Sequence, residues 1–356
     1  MSKRIIGVVI AVVVIIVAVW AFENAPSTGK PVIKIGVVAP VTGSFAAYGS
    51  TLAKGIEMAA ADLSSTTKYQ YQVIVEDDTS SGAAAASAAS KLINIDGVKA
   101  IITTTSGSGN GVKAIAEKAG VIHICDCTDV SIGNAAYNFT NLMLPVDETH
   151  AWLTEAAKRG NKTMAALIQV HPGATALMKA MSSQIDASGL KLVFNESFNG
   201  LDRDFKTLVA KAKQSKADIY LVIAYPPSLD IISKELMDAG IKNISTTGLF
   251  TTSPTPALFN GLWFTDSTLT DLGLRDRFMN LYPDIRFNAR TVPYGYDIFN
   301  MLVQSFEKDG DAYANLNAIT EYDGKVGKIT KELTSHNFRS ETSIWTMVNG
   351  VPMMRK

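Results

Sequence analysis

Residues 5–22 form an uncharged apolar run, preceded by Lys3 and Arg4 and followed by Glu23. A run of that length just spans a hydrocarbon core, and the leading positive charges favour a cytoplasmic N-terminus. A secretory signal has a shorter apolar region and a small-residue cleavage site, for which Val19-Trp20-Ala21 is a mediocre candidate. An uncleaved membrane anchor and a cleaved signal both stay open, and both place the rest of the chain outside the cytoplasm. Residues 24–31 (NAPSTGKP) read as a flexible linker.

Beyond the linker, short β-branched runs alternate with segments whose apolar positions recur at helical spacing. Residues 32–39 (VIKIGVVA) read as a buried strand, and Leu52, Ile56, Ala59, Ala60 and Leu63 mark a helix over about 49–63. Strands follow at 71–76, 99–104 and 121–125, with helices at 83–95 and 112–119 between them. After Pro145 a second series begins, with helices at 150–158, 175–187, 205–214 and 229–239 and strands at 163–170, 190–196 and 218–224. Gly120, Gly160, Gly189 and Gly240 sit just past helices, where a left-handed cap is wanted. Strands separated by helices of ten or more residues imply right-handed crossovers and parallel sheets. The expected fold is α/β, two doubly wound Rossmann-like lobes, with any ligand beyond the carboxyl ends of the strands. The last third is less regular: helices at 272–281 and 296–307, then a strand at 343–348 before an Asn349-Gly350 turn.

Composition narrows the function classes. With 33 Lys+Arg against 33 Asp+Glu, the chain has no basic excess, which excludes a general nucleic-acid binder. The 2 cysteines cannot make a disulfide framework and, with no ligand partner at motif spacing, do not argue for a metal. Buried free thiols are the expectation, and no cofactor is implied. Neither a nucleophile elbow, a zinc-protease helix nor a P-loop occurs, so a non-enzymatic role is expected.

Residues 34–63 (KIGVVAPVTGSFAAYGSTLAKGIEMAAADL) carry a strand, Pro-x-Thr-Gly, small residues, an aromatic-Gly pair and a helix with Gly-Ile-Glu. This pattern resembles the N-terminal signature of type I periplasmic solute-binding proteins, within them the leucine/isoleucine/valine-binding class. Segments 100–129, 164–205 and 218–250 extend the likeness in order, and 293–307 resembles the late Tyr-Asp helix, bringing Tyr294 among the candidate ligand-binding residues. The resemblance implies a three-segment hinge, placed near 143–147, 263–267 and 324–329. Residues 31–145 and 267–326 would then form the first lobe, and 146–266 with 327–356 the second.

Thr103 to Gly111 (TTTSGSGNG) joins a strand to a helix, presenting backbone N–H groups, hydroxyls and a positive dipole end suited to a carboxylate. The resemblance puts Ser106, beside Gly107, at the serine that binds the ligand carboxylate, and Tyr48 at the aromatic that covers the ligand. In 125–129 (CDCTD), Cys127 and Asp129, flanking Thr128, fall on head-group positions. His171, in VHPGA, edges the cleft or is a loop histidine. Tyr225 matches the second-lobe aromatic, with Pro226-Pro227 leaving its register open by one. Leu249 stands where amino-acid binders carry the glutamate that pairs with the ligand ammonium. An unpaired buried ammonium costs several kcal/mol, on the order of a lost buried ion partner. Either Asp129 supplies the missing charge, or the ligand is a carboxylate or amide without an ammonium. The resemblance implies a receptor that closes on a small molecule and docks on ABC permease subunits; a sensory module of the same fold is the alternative.

Overall fold

The computed structural model describes residues 29–43, 45–63 and 67–355. The apolar run at 5–22 lies outside them. Among the described residues, no helix is long and apolar enough to cross a membrane.

Strands β1 (Val32–Ala39), β2 (Gln70–Asp77), β3 (Ala100–Thr104), β4 (Ile122–Asp126) and β5 (Asn138–Asn141) pair in parallel in the order β2-β1-β3-β4-β5. Helix α1 (Ala46–Leu63) follows β1, α2 (Gly82–Lys91) follows β2, and α3 (Ser106–Ala119) follows β3. Burial of Val37, Ile102 and Ile124 at zero exposure explains the near-continuous apolar runs, since a parallel sheet is covered on both faces. The second sheet begins after helix α4 (Pro145–Lys158). It contains β6 (Thr163–Gln169), then helix α5 (Pro172–Ser182), β7 (Lys191–Phe198), β8 (Ile219–Ile223), β9 (Ile244–Thr247) and β10 (Trp263–Ser267), in the parallel order β7-β6-β8-β9-β10. Both sheets reverse direction of growth once, between β1 and β3 and between β6 and β8. Ligand crevices of open α/β sheets form at such switch points.

The irregular last third adds antiparallel edges. A hairpin of β11 (Glu321–Gly324) and β12 (Gly327–Lys331) leads to β13 (Asn337–Arg339), which lies parallel to β5 in the first sheet. β14 (Thr342–Val348) and β15 (Val351–Met354) extend the second sheet from β10. Asn349 and Gly350 turn this hairpin with φ of 50° and 74°, as a two-residue turn between right-twisted strands requires. All four cap glycines, at 120, 160, 189 and 240, have positive φ.

Sheet membership moves two expected crossings. Residues 327–339 belong with the first sheet, not the second lobe, because Ile329 and Phe338 are buried in its core beside Phe139. The third crossing therefore falls at residues 340–341, not near 324–329. Residues 263–267 are the interior strand β10, and the chain passes back only after it, before the helix Val292–Glu307 that packs on α1. The close approach of that helix explains Gly55, where a Cβ would lie 2.1 Å from the Val292 carbonyl oxygen.

Candidate functional site

Apart from the segment that carries Arg290, the loops that line the interlobe cavity leave the carboxyl ends of parallel strands. From the first lobe, Tyr48, Thr105, Ser106, Asp126, Cys127 and Thr128 line a cavity; from the second, His171, Gly173, Leu177, Ile223, Tyr225, Thr247 and Leu249 do so. Leu142, in the first crossing, and Arg290 complete it. The lobes are in contact: the Phe45 ring lies 4.1 Å from that of Tyr225 and 5.0 Å from that of His171, centroid to centroid.

The helix expected from residue 112 starts at Ser106, so the glycine-rich segment is helical rather than a turn. Glycine is a poor helix former, and its presence here answers to packing. A Cβ at Gly109 would stand 2.5 Å from Cys125 Sγ, and one at Gly111 would stand 2.3 Å from the Gly82 carbonyl oxygen. Thr105 caps this helix, accepting from the Ser108 N–H at 3.2 Å. Its φ of 74° and ψ of 142° are strained for a threonine, and the Asp126 carbonyl holds it by accepting the Thr105 N–H at 3.3 Å. The N–H groups of Ser106 and Gly107 open the helix, where no intrahelical acceptor exists for them. Gly107 faces the other lobe, its Cβ direction ending 3.7 Å from His171 Nε2.

Cys125 and Cys127 are joined by a disulfide, which corrects the expectation of free thiols. Cys125 lies on β4 and Cys127 just past its end, where the chain bends and leaves the two Cα atoms 5.3 Å apart, inside the bridging range. Two cysteines build no framework, but they suffice for one local bridge.

Asp129 does not bring a charge to the cavity. Its carboxylate accepts from Asn110 Nδ2 at 2.9 Å and from the Ser131 N–H at 3.1 Å, while its own N–H donates to Ser106 Oγ at 3.1 Å. Burial pushes this carboxyl up, but the bonds from Asn110 and Ser131 outweigh it and hold the group below the usual carboxylate range. Tyr294 is also displaced from the expected role: it is buried behind the cavity, its hydroxyl bonded to Ser340 in the third crossing. His171 caps α5, accepting from the Gly173 N–H at 3.2 Å, and burial lowers its pKa to about 4. Tyr225 takes the lining position, its N–H donating to Gln169 Oε1 at 2.9 Å and its phenol pushed up to about 12 by burial. The Pro226-Pro227 bond that follows it is cis.

Four charged residues of the cleft carried no sequence signal. Arg290 is buried and paired with Glu148, with a second contact at 3.3 Å, and with Asp266 at 3.4 Å. Gly248, at φ 67°, leaves room for this guanidinium: a Cβ there would meet Arg290 Nε at 2.4 Å. Burial raises Asp266 to about 6 and pushes Asp126 well above the carboxylate range. Asp126 lay inside the quoted CDCTD segment, but family position pointed to its neighbours.

A profile of the periplasmic binding protein family matches residues 32–347. A leucine-, isoleucine-, valine-, threonine- and alanine-binding protein of Pseudomonas aeruginosa is 25% identical over 223 residues, which is 60% of this chain and 60% of that protein. The chain thus spans less than two thirds of the length of that relative. The LivJ branched-chain amino acid binding protein of Streptococcus pneumoniae, solved with isoleucine, superimposes with a TM-score of 0.81 at 21% identity, covering 91% of this chain and 99% of that one. A solute-binding protein from R. palustris, solved with benzoate, gives 0.80 at 17% identity, covering 92% and 95%. This chain belongs to the periplasmic binding protein family, with the two-lobe type I fold. The family is one of extracytoplasmic solute-binding proteins.

Proposed function

We propose that this protein is the extracytoplasmic receptor of an ABC importer, closing its lobes on a small carboxylate-bearing solute and presenting the closed form to the permease. The observation that carries the reading is the opening of α3 at the cavity. There Ser106 is 2% exposed, and the first-turn N–H groups and the positive helix end favour an anion. Tyr48 and Tyr225 cover the solute from opposite lobes, and Leu177, Ile223 and Leu249 receive its apolar part. A branched-chain or related amino acid fits that division. The N-terminal apolar run would tether or export the protein.

A second reading, an aromatic acid without an amine, draws on Arg290 lining the cavity. Arg290 is already engaged by Glu148 and Asp266, which weighs against it as the carboxylate's main partner. Titration calorimetry of the wild type and Ser106→Ala with amino acids and aromatic acids tests the proposal. Loss of the serine should weaken any carboxylate ligand by about 1.5–3 kcal/mol, the worth of a charged hydrogen bond. Unchanged affinity would place the carboxylate elsewhere.

A further inference from the structure

Leu249 leaves the second lobe without an acid for a ligand amine, and Asp129 is occupied elsewhere. Among the described residues, three buried carboxyls, Glu148, Asp266 and Asp126, lie near the Arg290 guanidinium, and of the three only Asp126 lines the cavity. Arg290 serves the first two. Asp126, 4% exposed and lining the cavity, has no cation in contact, and its Oδ1 has no hydrogen-bond partner among the described residues. Its other oxygen accepts only a long bond of 3.5 Å from Thr104 Oγ1. Across the cavity Thr247, 1% exposed, has an equally unpartnered Oγ1. Buried polar groups are rarely left unpaired, and two of them on facing walls of one cavity mark a ligand contact.

We infer that the ligand carries a primary ammonium group, which donates to Asp126 Oδ1 from the first lobe and to Thr247 Oγ1 from the second. The inference rests on the cavity being the solute site, as proposed above. It moves the amine's acid from the second lobe to the first, next to the serine that takes the carboxylate. Both ends of an amino acid's head group would then bind one lobe before closure, and Thr247 would join only on closing. The remaining groups facing Asp126 are Arg290, Asp266 and Tyr294, whose formal charges cancel. Among the described residues nothing else there supplies the missing cation. Burial favours the neutral form of the Asp126 carboxyl, and an arriving ammonium favours its ionised form.

The test measures affinities of the full-length protein for matched pairs: L-leucine and ketoleucine, L-phenylalanine and phenylpyruvate, with isoamylamine and phenethylamine as carboxylate-free amines. The wild type should prefer the amino acid over its oxo acid by about 10- to 100-fold, the range of one charged hydrogen bond. Asp126→Asn should erase that preference while keeping oxo-acid binding, and Thr247→Val should reduce it severalfold. Oxo acids bound as tightly as amino acids by the wild type would overturn the inference and leave the carboxylate reading standing. Amines bound without any carboxylate would do the reverse, and no binding across the panel would overturn both. Should Asp126→Asn fail to fold, the wild-type pairs and Thr247→Val still decide.

Discussion

The two walls of the cleft are built alike and behave differently. Each comes from the carboxyl ends of parallel strands around a switch point, yet the first presents Thr105, Ser106, Asp126 and Thr128, and the second mainly His171, Leu177, Ile223, Tyr225 and Leu249. The first wall is polar and held by its own bonds: Asp129 anchors Ser106, and Thr105 is locked in strained backbone by the Asp126 carbonyl. The second is aromatic and aliphatic, and meets the first through ring contacts to Phe45. A preorganised polar wall suits recognition, because its dipoles are fixed before the ligand arrives. An apolar wall suits closure, because it gains only on burial.

The sharpest break in this contrast is at the charge cluster between the walls. Arg290→Ala leaves Glu148 and Asp266 buried without a cation, and removing one partner of a buried pair costs about 3–5 kcal/mol. Urea unfolding at neutral pH should show a loss of that size; a loss below about 1 kcal/mol would mean the cluster is solvated. Since burial holds Asp266 at about 6, above the ordinary carboxyl value of 3.8, the folded state binds more protons between those values. Its contribution to stability is thus greatest below pH 4 and falls as pH rises to about 6.

Next in size is a wedge. A Cβ at Gly173 would stand 3.1 Å from Ser106 Oγ and 3.6 Å from Thr128 Cβ on the opposite wall. Gly173→Val should hold the lobes apart and weaken ligand binding about 100-fold or more, since the walls cannot both touch the ligand. Small-angle scattering should show the variant failing to contract with saturating ligand. Contraction equal to the wild type would mean the second wall yields.

What the sequence revealed follows this same division. Strand alternation and the capping glycines were legible because local chemistry dictates them, whereas it was the family resemblance that pointed to Tyr48, Ser106 and Tyr225, which line the cavity. Arg290, Glu148 and Asp266 were not, because they come from three separate elements and only tertiary packing makes them neighbours. β13 was hidden for a related reason: three residues are too short for periodicity, and its place depends on Phe338 packing against Phe139. The Cys125–Cys127 bridge was not legible because it depends on the bend just past the end of β4, which brings the two Cα atoms to 5.3 Å.

A smaller effect distinguishes the walls by pH. His171 belongs to the second wall, and packing against Phe45 and Tyr225 accompanies a pKa lowered to about 4 by burial. An opened cleft returns the ring to water, where its ordinary value is 6.5. Between those values the open form binds the extra proton, so acidification favours opening and closure is recovered as pH rises. Ligand affinity should therefore drop about tenfold between pH 7 and 5.5, one proton's linkage over that interval. His171→Asn keeps an N-cap acceptor for Gly173 without a titrating ring, and should flatten this part of the profile. An unaltered profile in that variant would assign the dependence to the buried carboxyls of Asp126 and Asp266.

The smallest expected effect lies at the outer edge of the hinge. Arg339, just before the third crossing, pairs with Asp147 at the start of α4 at 2.8 Å, with side chains 44% and 30% exposed. It joins the same two lobes as Arg290 does, with similar geometry but in water. Solvent screening reduces an exposed pair to about 0–1 kcal/mol. Arg339→Ala should change stability by less than about 1 kcal/mol, and the change should vanish in molar salt, where charges a few ångströms apart are largely screened. A salt-resistant loss as large as that of Arg290→Ala would mean that surface charge, and not the buried cluster, holds the lobes in register.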